Sequence, residues 1–519
     1  MKKFIVILLS LAMLLSMVAC SQGPAESTPS QNGGETPKPN ETPNGAPNDT
    51  PGETPNETPG DDTDVNDPES LNIKIDEIDY ENKAFTVYHY TTPNYEFDVM
   101  ENASEGDAVN DALYKRILYT EQDLGIDVIY HGETGHNGHE QAFVDKLNNM
   151  ISDPNTPVDL IASYSRTAPH VIIEGLYLDL QVYSDALDFS KAWWPENVCD
   201  VHAIKGRSFV VSGDISPGTI NMLEVIFLNK TRLESFGYNY VDFMEKIKVG
   251  KWYMDDLIEM SSGKYEDLDK EPGESMGDFY GMTDGGGHID YYTGMGFKYF
   301  DFSKEEDQVY VISEDYTSET MSNVVSKLQD WAAQPGVWLG CTDYLENRTL
   351  FYAGLSLFAQ FRTAYFNPAD TEVDFIAIPL PKLDEKQEKY ITTIGDPYAL
   401  YGICTKTHDA QRAAEAMQVM GYYGYKYITP ALFDVTLKGK LSKDDYAIIM
   451  FELLRKGITF DAGKTYELYS ATELPQLFAI NIESGKPWTS VLSTTKKKLL
   501  GTKIKNLNKK LIAVIQESE

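Results

Sequence analysis

Two short stretches of the sequence have residue types and spacing that could bind a metal ion. The first contains His131, His136, His139 and Glu140, and neutral imidazoles are good ligands for zinc or nickel. Glycine and asparagine residues separate these histidines, so the stretch is typical of a loop and not of the helix on which an HExxH zinc site is built. We therefore expect a solvated loop here, without a metal ion.

The second stretch is an acidic loop. Asp267, Asp269, Glu271 and Asp278 stand at positions 1, 3, 5 and 12 of a calcium-loop pattern. That pattern requires a glycine at position 6, where this chain has Pro272. The prediction is that no metal is bound, and a structural calcium ion at these four acids is kept as the alternative.

No catalytic motif of the GxSxG, HExxH or P-loop type can be defended from the sequence. We therefore expect a protein that is not an enzyme and that needs no cofactor. A surface-anchored glycoside hydrolase remains an alternative, because such an enzyme needs only two carboxylates about 5–9 Å apart. A carbohydrate sensor or adhesin that works without a transporter is a second alternative.

The charge and the cysteines exclude further classes. The formal net charge of −36 argues against nucleic-acid binding and against direct attachment to anionic lipid. Apart from Cys20, the chain contains Cys199, Cys341 and Cys404, widely spaced and without a CxxC pair. Three cysteines allow at most one bridge and predict neither a disulfide framework nor a cysteine-based zinc site.

The N-terminus predicts secretion. Met1-Lys2-Lys3 is a basic start, residues 4–17 form a short run of apolar and small residues, and small residues follow at Val18-Ala19. This is the layout of a signal peptide over residues 1–19, and the run is short for a membrane span.

The residues Met17-Val18-Ala19-Cys20 resemble the lipobox of bacterial lipoproteins, with methionine where leucine is usual. The resemblance implies that the Cys20 thiol is acylated, with palmitate-type chains, and becomes the mature N-terminus. Two or three acyl chains give stable anchoring, at the outer face of the cell membrane of a Gram-positive-type envelope. An ordinary signal peptide followed by a chance cysteine is the alternative.

Residues 20–70 predict a disordered tether that starts at the lipidated cysteine. Glu-Thr-Pro recurs four times, and aliphatic residues are almost missing. Such a stretch cannot bury enough apolar surface to offset its ordering entropy. Extended, it would reach about 150 Å, which suits a spacer between membrane and folded domain.

The folded part, residues 71–519, begins with alternating strands and helices. Strands are predicted at 84–90, 126–130 and 158–162, and helices at 108–124 and 140–151. This β-α-β-α-β order predicts a parallel sheet, which binds ligands at the carboxyl ends of its strands.

Several later segments resemble the sugar-type class of extracellular solute-binding proteins of ABC importers, which are maltose-binding-protein-like. These segments are residues 158–180, 187–216, 223–238, 250–261, 374–390 and 398–424. The resemblance implies an α/β, two-lobe periplasmic-binding-protein-like fold (type II) with a hinge and an interlobe ligand cleft. Lobe one would hold about 80–223 and 391–428, lobe two about 224–390, and C-terminal helices about 429–519.

The resemblance implies a monomer that binds a carbohydrate, an oligosaccharide by preference, and delivers it to transmembrane permease subunits. Aromatic rings stack on sugar faces, while polar side chains pair with hydroxyl groups. We therefore select aromatic and polar residues at predicted strand ends and loops. The candidate ligand-binding residues are Tyr90, Tyr95, Tyr164, Ser165, Arg166, Asp214, Tyr291, Tyr292, Phe361, Arg362, Tyr365, Asp396 and Tyr398.

Overall fold

The structure is a computed structural model that describes residues 78–91, 108–436, 444–470, 472–491 and 493–517. The predicted signal peptide, Cys20, the tether and Tyr95 lie outside the described residues. Among the described residues, no helix is both long and apolar enough to cross a membrane.

The strands are short and fall into two main sheets and one hairpin. They are β1 Lys83–Tyr90, β2 Ile126–Glu133, β3 Leu160–Tyr164, β4 Glu224–Asn229, β5 Tyr265–Glu266, β6 Phe279–Asp284, β7 Phe300–Phe302, β8 Tyr310–Ile312, β9 Val337–Trp338, β10 Ser356–Arg362, β11 Phe375–Ile378 and β12 Ala399–Ile403.

Helices cover the sheets and form most of the C-terminal region. The α-helices are Ala108–Leu124, Glu140–Ile151, Ala168–Ile173, Pro217–Asn221, Lys230–Ser235, Tyr240–Lys248, Met254–Ser261, Tyr291–Gly294, Glu319–Ala332, Tyr344–Tyr352, Ala410–Tyr423, Thr429–Thr436, Asp445–Lys456, Ala462–Thr465, Glu467–Ser470, Leu474–Ser484, Trp488–Val491 and Thr494–Glu517.

The first sheet has the order β12-β3-β1-β2 and defines what we call the first lobe. β1 pairs in parallel with both β2 and β3, which confirms the predicted β-α-β-α-β arrangement. The two predicted helices have their predicted bounds, whereas β2 runs on to Glu133 and β3 is shifted by two residues to Leu160–Tyr164. Every residue of β3 is buried, as expected for a central strand covered on both faces.

The second sheet has the order β11-β4-β10-β6-β5, with β9 beside β6, and defines the second lobe. Its core is aromatic. The Phe227 ring stacks on Phe361 at 4.4 Å and on Phe366 at 4.3 Å between ring centroids.

Two stretches of chain run side by side between the sheets and form what we call the hinge, residues 222–224 and 393–398. Leu223 and Ile394 form an antiparallel bridge. Glu224 N–H donates to the Thr393 carbonyl at 3.0 Å, and Gly395 N–H donates to the Met222 carbonyl at 2.8 Å. The first stretch leads into β4 and the second into β12, so the hinge connects the two lobes.

The C-terminal helices contact both lobes. Asn508 accepts from the Tyr310 N–H at 2.9 Å in the second lobe, and Arg455 reaches Asp214, next to the first sheet, at 2.7 Å. Residues 208–212, which precede the candidate Asp214, do not form a regular strand, because among them only Val211 pairs, in a single bridge to Tyr401. Cys199, Cys341 and Cys404 are buried free thiols.

Candidate functional site

A cavity of about 150 Å³ lies at the hinge, between the first lobe, the second lobe and the C-terminal helices. We call it the hinge cavity. It is lined by Ser165, Arg166, Ile289, Asp290, Thr293, Arg362, Thr393, Ile394, Gly395, Asp396, Tyr398, Thr459, Phe460, Asp461, Lys464, Thr465, Glu467, Pro475 and Gln476.

The first-lobe wall follows directly from the end of β3. The Ser165 N–H donates to the Tyr398 carbonyl at 2.9 Å, which fixes the chain as it leaves the strand. The Ser165 hydroxyl donates to the Asp396 carboxylate. Arg166 Nε lies 3.9 Å from the other Asp396 oxygen, and both side chains are about one-third exposed. The carboxyl end of β3 therefore meets the hinge at this wall.

The second-lobe wall is built around Arg362, the last residue of β10. Its Nε donates to Glu224 Oε1 at 2.6 Å, and its Nη1 donates to the Asp396 carbonyl at 2.8 Å. The guanidinium also lies 4.8 Å from the centroid of the Tyr344 ring. Glu224 is fully buried. Burial, and then repulsion from Asp290, raise the pKa of Glu224, while Arg362 opposes the shift.

Gly395 allows this close approach. A β-carbon at this position would lie 1.9 Å from Arg362 Nε. Because no larger residue fits beside the guanidinium, glycine is needed at the hinge for Arg362 to reach the Asp396 carbonyl.

The C-terminal wall contributes a second ion pair. Lys464 Nζ donates to Asp290 Oδ1 at 2.7 Å, and the Thr393 hydroxyl donates to the same oxygen at 2.9 Å. Asp461 caps the helix Ala462–Thr465 by accepting from the Gly463 N–H at 2.6 Å. This wall joins the second lobe, the hinge and the C-terminal helices at one point.

Five of the predicted ligand-binding residues line the hinge cavity: Ser165, Arg166, Arg362, Asp396 and Tyr398. Three further candidates lie close to these residues. The Tyr164 and Tyr90 rings contact each other at 5.6 Å at the ends of β3 and β1, and the Tyr365 ring stacks on Tyr344 at 5.3 Å. Burial, and then the charge of Asp396, raise the pKa of Tyr164.

Four candidates lie elsewhere. Phe361 is inside β10 rather than after it, and its side chain packs in the second-lobe core. Tyr291 and Tyr292 are fully buried, with Tyr292 stacked on Tyr299 at 4.2 Å. Asp214 is ion-paired with a C-terminal arginine and does not line the hinge cavity. These side chains fill cores or hold helices, so we remove them from the proposed ligand site.

The sequence reasoning missed five polar residues of the cavity, three of which lie in the C-terminal helical region. Asp290, Thr393, Asp461, Lys464 and Glu467 all line the cavity. None follows a predicted strand, and the sequence analysis selected no site residue from the C-terminal helices. A polar residue before a short helix, as at Asp461, is a capping signal and does not by itself indicate a ligand site.

The acidic loop holds three of its four predicted ligands together. Single carboxylate oxygens of Asp267, Asp269 and Asp278 lie within 4.8 Å of one another, and within the described part of the chain this is the one such group of three acids, cysteines or histidines. Asp278 already accepts from the Leu268 N–H at 3.0 Å and from the Tyr265 hydroxyl at 2.9 Å. Calcium binding at this loop therefore stays the alternative to the prediction that no metal is bound.

The same loop contains a GxSxG pattern at residues 273–277. In hydrolases this motif forms a strained strand-to-helix turn that exposes the serine. Here the pattern lies between strands β5 and β6, and the Ser275 hydroxyl donates to Asp269. The geometry is not that of a nucleophile.

The sequence matches no protein-family model and no curated protein. Among solved structures it resembles a cyclo/maltodextrin-binding protein complexed with maltotetraose, with 13% identity, a TM-score of 0.53, and coverage of 82% of this chain and 97% of that chain. It also resembles the cyclic alpha-maltosyl-1,6-maltose binding protein from Arthrobacter globiformis, with 14% identity, a TM-score of 0.52, and coverage of 82% and 100%. It also resembles M. tuberculosis UspC, with 15% identity, a TM-score of 0.50, and coverage of 80% of this chain and 99% of that chain.

These likenesses confirm the predicted fold class. The chain has the two-lobe, periplasmic-binding-protein-like fold of solute-binding proteins. At this level of identity the comparison concerns the fold and not the ligand, since one fold serves many binding specificities.

Proposed function

We propose that this protein captures a carbohydrate between its lobes and delivers it to the permease subunits of an ABC importer. The fold supports a binding role, because proteins of this architecture close around a ligand by a hinge motion. The finer statements, that the ligand is an oligosaccharide and that the protein is not an enzyme, are part of the same proposal.

The observation that carries the proposal is the convergence of polar side chains on the hinge cavity. Arg166 comes from the first lobe, Asp396 from the hinge, Arg362 from the second lobe and Lys464 from the C-terminal helices. A ligand bound there would contact every part of the molecule that must move in closure. Ligand binding would then shift the population towards the closed state.

The small volume of the cavity supports a site that opens and closes as the two lobes move. Its volume of about 150 Å³ is below the roughly 300–1,000 Å³ of common small-molecule pockets. An oligosaccharide would therefore require the lobes to separate further than in this structure. We propose Ser165, Arg166, Arg362, Asp396 and Tyr398 as the ligand contacts that line the cavity. Tyr90, Tyr164 and Tyr365 are proposed as further contacts close to these residues, and Tyr95, which lies outside the described residues, stays a predicted contact.

The test is direct binding to a carbohydrate panel. We expect the purified protein to bind at least one member in calorimetry, to return it chemically intact after long incubation, and to become more compact in small-angle scattering. Arg166→Ala should weaken binding by about 1–3 kcal/mol, the cost of an unpaired buried polar partner. A cleaved product would move the protein to the glycoside hydrolases, and no binding at all would overturn the proposal.

Lipid anchoring rests on Cys20 and gives a separate prediction. The mature protein should begin at Cys20 and partition with membranes, because its acyl chains insert into the bilayer. Cys20→Ser should block processing or release the protein into the medium, as measured by fractionation and mass spectrometry. A Cys341→Ser variant is the control, since that thiol is buried. Membrane attachment that survives Cys20→Ser would contradict the lipoprotein interpretation.

A further inference from the structure

The hinge cavity has a surplus of carboxylates over cations. Each of its three cations already has an acidic neighbour. Arg362 lies 2.6 Å from Glu224, Lys464 lies 2.7 Å from Asp290, and Arg166 lies 3.9 Å from Asp396. Among the described lining residues, every cation is therefore already paired with an acid, and none is available to bind an anionic ligand.

Two further carboxylates line the cavity. Asp461 is occupied, because it accepts the backbone N–H groups of Gly463 at 2.6 Å and Lys464 at 3.2 Å. Glu467 is different. It is only 9% exposed, and no lysine, arginine or histidine among the described residues lies within 4.0 Å of it as an ion-pair partner.

The surroundings of Glu467 disfavour its charged form, because the side chain is buried and has no ion-pair partner. Burial raises the pKa of its carboxyl group, and the charge of Arg166 and a hydrogen bond from Gln476 oppose this only in part. A buried carboxylate without a counterion is stabilised strongly by any cation that reaches it. A positively charged group on a ligand in the cavity would therefore pair favourably with Glu467.

Two uncharged oxygens in the same cavity also have no partner. Thr293 Oγ1, on a residue that is 4% exposed, and Gln476 Oε1 are buried without a hydrogen-bond partner, and both residues line the cavity. Buried polar atoms in native proteins are nearly always paired, so these two point to donors on a ligand. The cavity thus offers one carboxylate that has no ion-pair partner and two oxygens that can accept a hydrogen bond.

The cavity also offers little surface on which a neutral sugar ring could stack. The aromatic rings among its described lining residues are Tyr398 and Phe460, which are 6% and 4% exposed and pack on each other at 5.7 Å. Recognition in this part of the site must therefore depend on polar groups and charge.

We propose that the hinge cavity selects a polyhydroxylated ligand that carries an ammonium group, an amino sugar, whose cation pairs with Glu467. The hydroxyl groups of the same ligand donate to Thr293 and Gln476. This inference rests on the proposed function, because it names the class of carbohydrate that the same site takes.

The experiment compares glucosamine oligomers of two to four units with their N-acetylated counterparts, in which the amine is neutral. In calorimetry on the purified protein we expect the amino forms to bind about tenfold more tightly or better, as for a charge-assisted hydrogen bond in a buried site. Glu467→Gln, which keeps the shape of the side chain, should remove most of this preference. Glu388→Gln, on an exposed glutamate outside the cavity, should leave it unchanged.

Thermal unfolding of both variants shows whether they are folded, and added salt gives a second measurement. The preference for the amino form should shrink as salt increases if it is electrostatic. Equal binding of amino and acetylated forms, or a preference that survives Glu467→Gln, would overturn the inference. If maltotetraose binds and no amino sugar does, this inference fails and the proposed function stands; if no carbohydrate binds, both fail.

Discussion

Replacing Arg362 with methionine is expected to lower the free energy of unfolding by about 3–5 kcal/mol, the usual cost of leaving one member of a buried ion pair alone. Glu224 is fully buried and accepts from Arg362 Nε at 2.6 Å. Without Arg362, the donor that remains to the same Glu224 oxygen is the Tyr344 hydroxyl, at 3.2 Å. A neutral hydroxyl at that distance cannot replace a guanidinium. Equilibrium unfolding in urea measures the loss.

The loss is expected to depend on pH. Burial raises the Glu224 pKa above its unfolded value, and Arg362 is the main group that opposes the shift. A carboxyl group with a raised folded pKa stabilises the fold most at low pH, and this contribution disappears as the pH rises from the unfolded pKa through the folded one. Removal of Arg362 raises the folded pKa further. Arg362→Met should therefore lose more stability at about pH 8 than at about pH 5.

Two variants control this experiment. Arg362→Met combined with Glu224→Gln should recover part of the stability, because the buried charge is then gone. Arg348→Met tests the loss of a nearby arginine that has no carboxylate partner among the described residues and donates only to the Tyr365 carbonyl, at 2.9 Å. An Arg362→Met variant as stable as the Arg348→Met variant would contradict our interpretation of the hinge.

This result also bears on ligand binding. The sequence analysis selects Arg362 only as a ligand contact, and the loss of a side chain with no other role would hardly affect stability. The structure instead places the guanidinium between Glu224 and the Asp396 carbonyl, so Arg362 also holds the hinge through protein contacts. A weaker affinity in Arg362→Met would thus combine a lost contact with a disturbed hinge. Arg166, which is more exposed and only 3.9 Å from Asp396, is the cleaner probe of ligand contact.

The first sheet could be predicted from the sequence because each of its first three strands and the two helices between them is recognisable from a short segment of the chain. β1, β2 and β3 are short β-rich segments separated by two helices with regular apolar spacing, and this order favours a parallel sheet with right-handed crossovers. The end of β3 then identified Ser165 and Arg166 as site candidates. Both line the hinge cavity.

The remainder of the site depends on contacts between residues far apart in the chain. Lys464 and Asp290 are 174 positions apart, and neither lies in a pattern that identifies the other. Asp214 and Asp396 gave similar local signals, since both are acids at a predicted strand end or in a predicted loop. Only the folded chain shows that Asp396 faces the cavity, while Asp214 meets an arginine 241 positions later.

Asp214 therefore gives the second strong prediction. Asp214→Ala is expected to lower the free energy of unfolding by about 3–5 kcal/mol and to leave ligand affinity unchanged. Its carboxylate accepts from Arg455 Nη2 at 2.7 Å and from the Thr429 hydroxyl, so it ties two C-terminal helices to the first lobe. Both charged side chains of the pair are nearly buried, at 12% exposure for Arg455 and 5% for Asp214.

The matched control is Asp185→Ala, on an exposed aspartate, which should change stability by no more than about 0.5 kcal/mol. Adding Arg455→Met to Asp214→Ala should recover part of the loss, because the unpaired guanidinium is removed. Urea unfolding and calorimetry with a carbohydrate that the wild-type protein binds separate the two roles. If Asp214→Ala keeps its stability but loses affinity, the carboxylate contacts ligand after all, and the site extends beyond the hinge cavity.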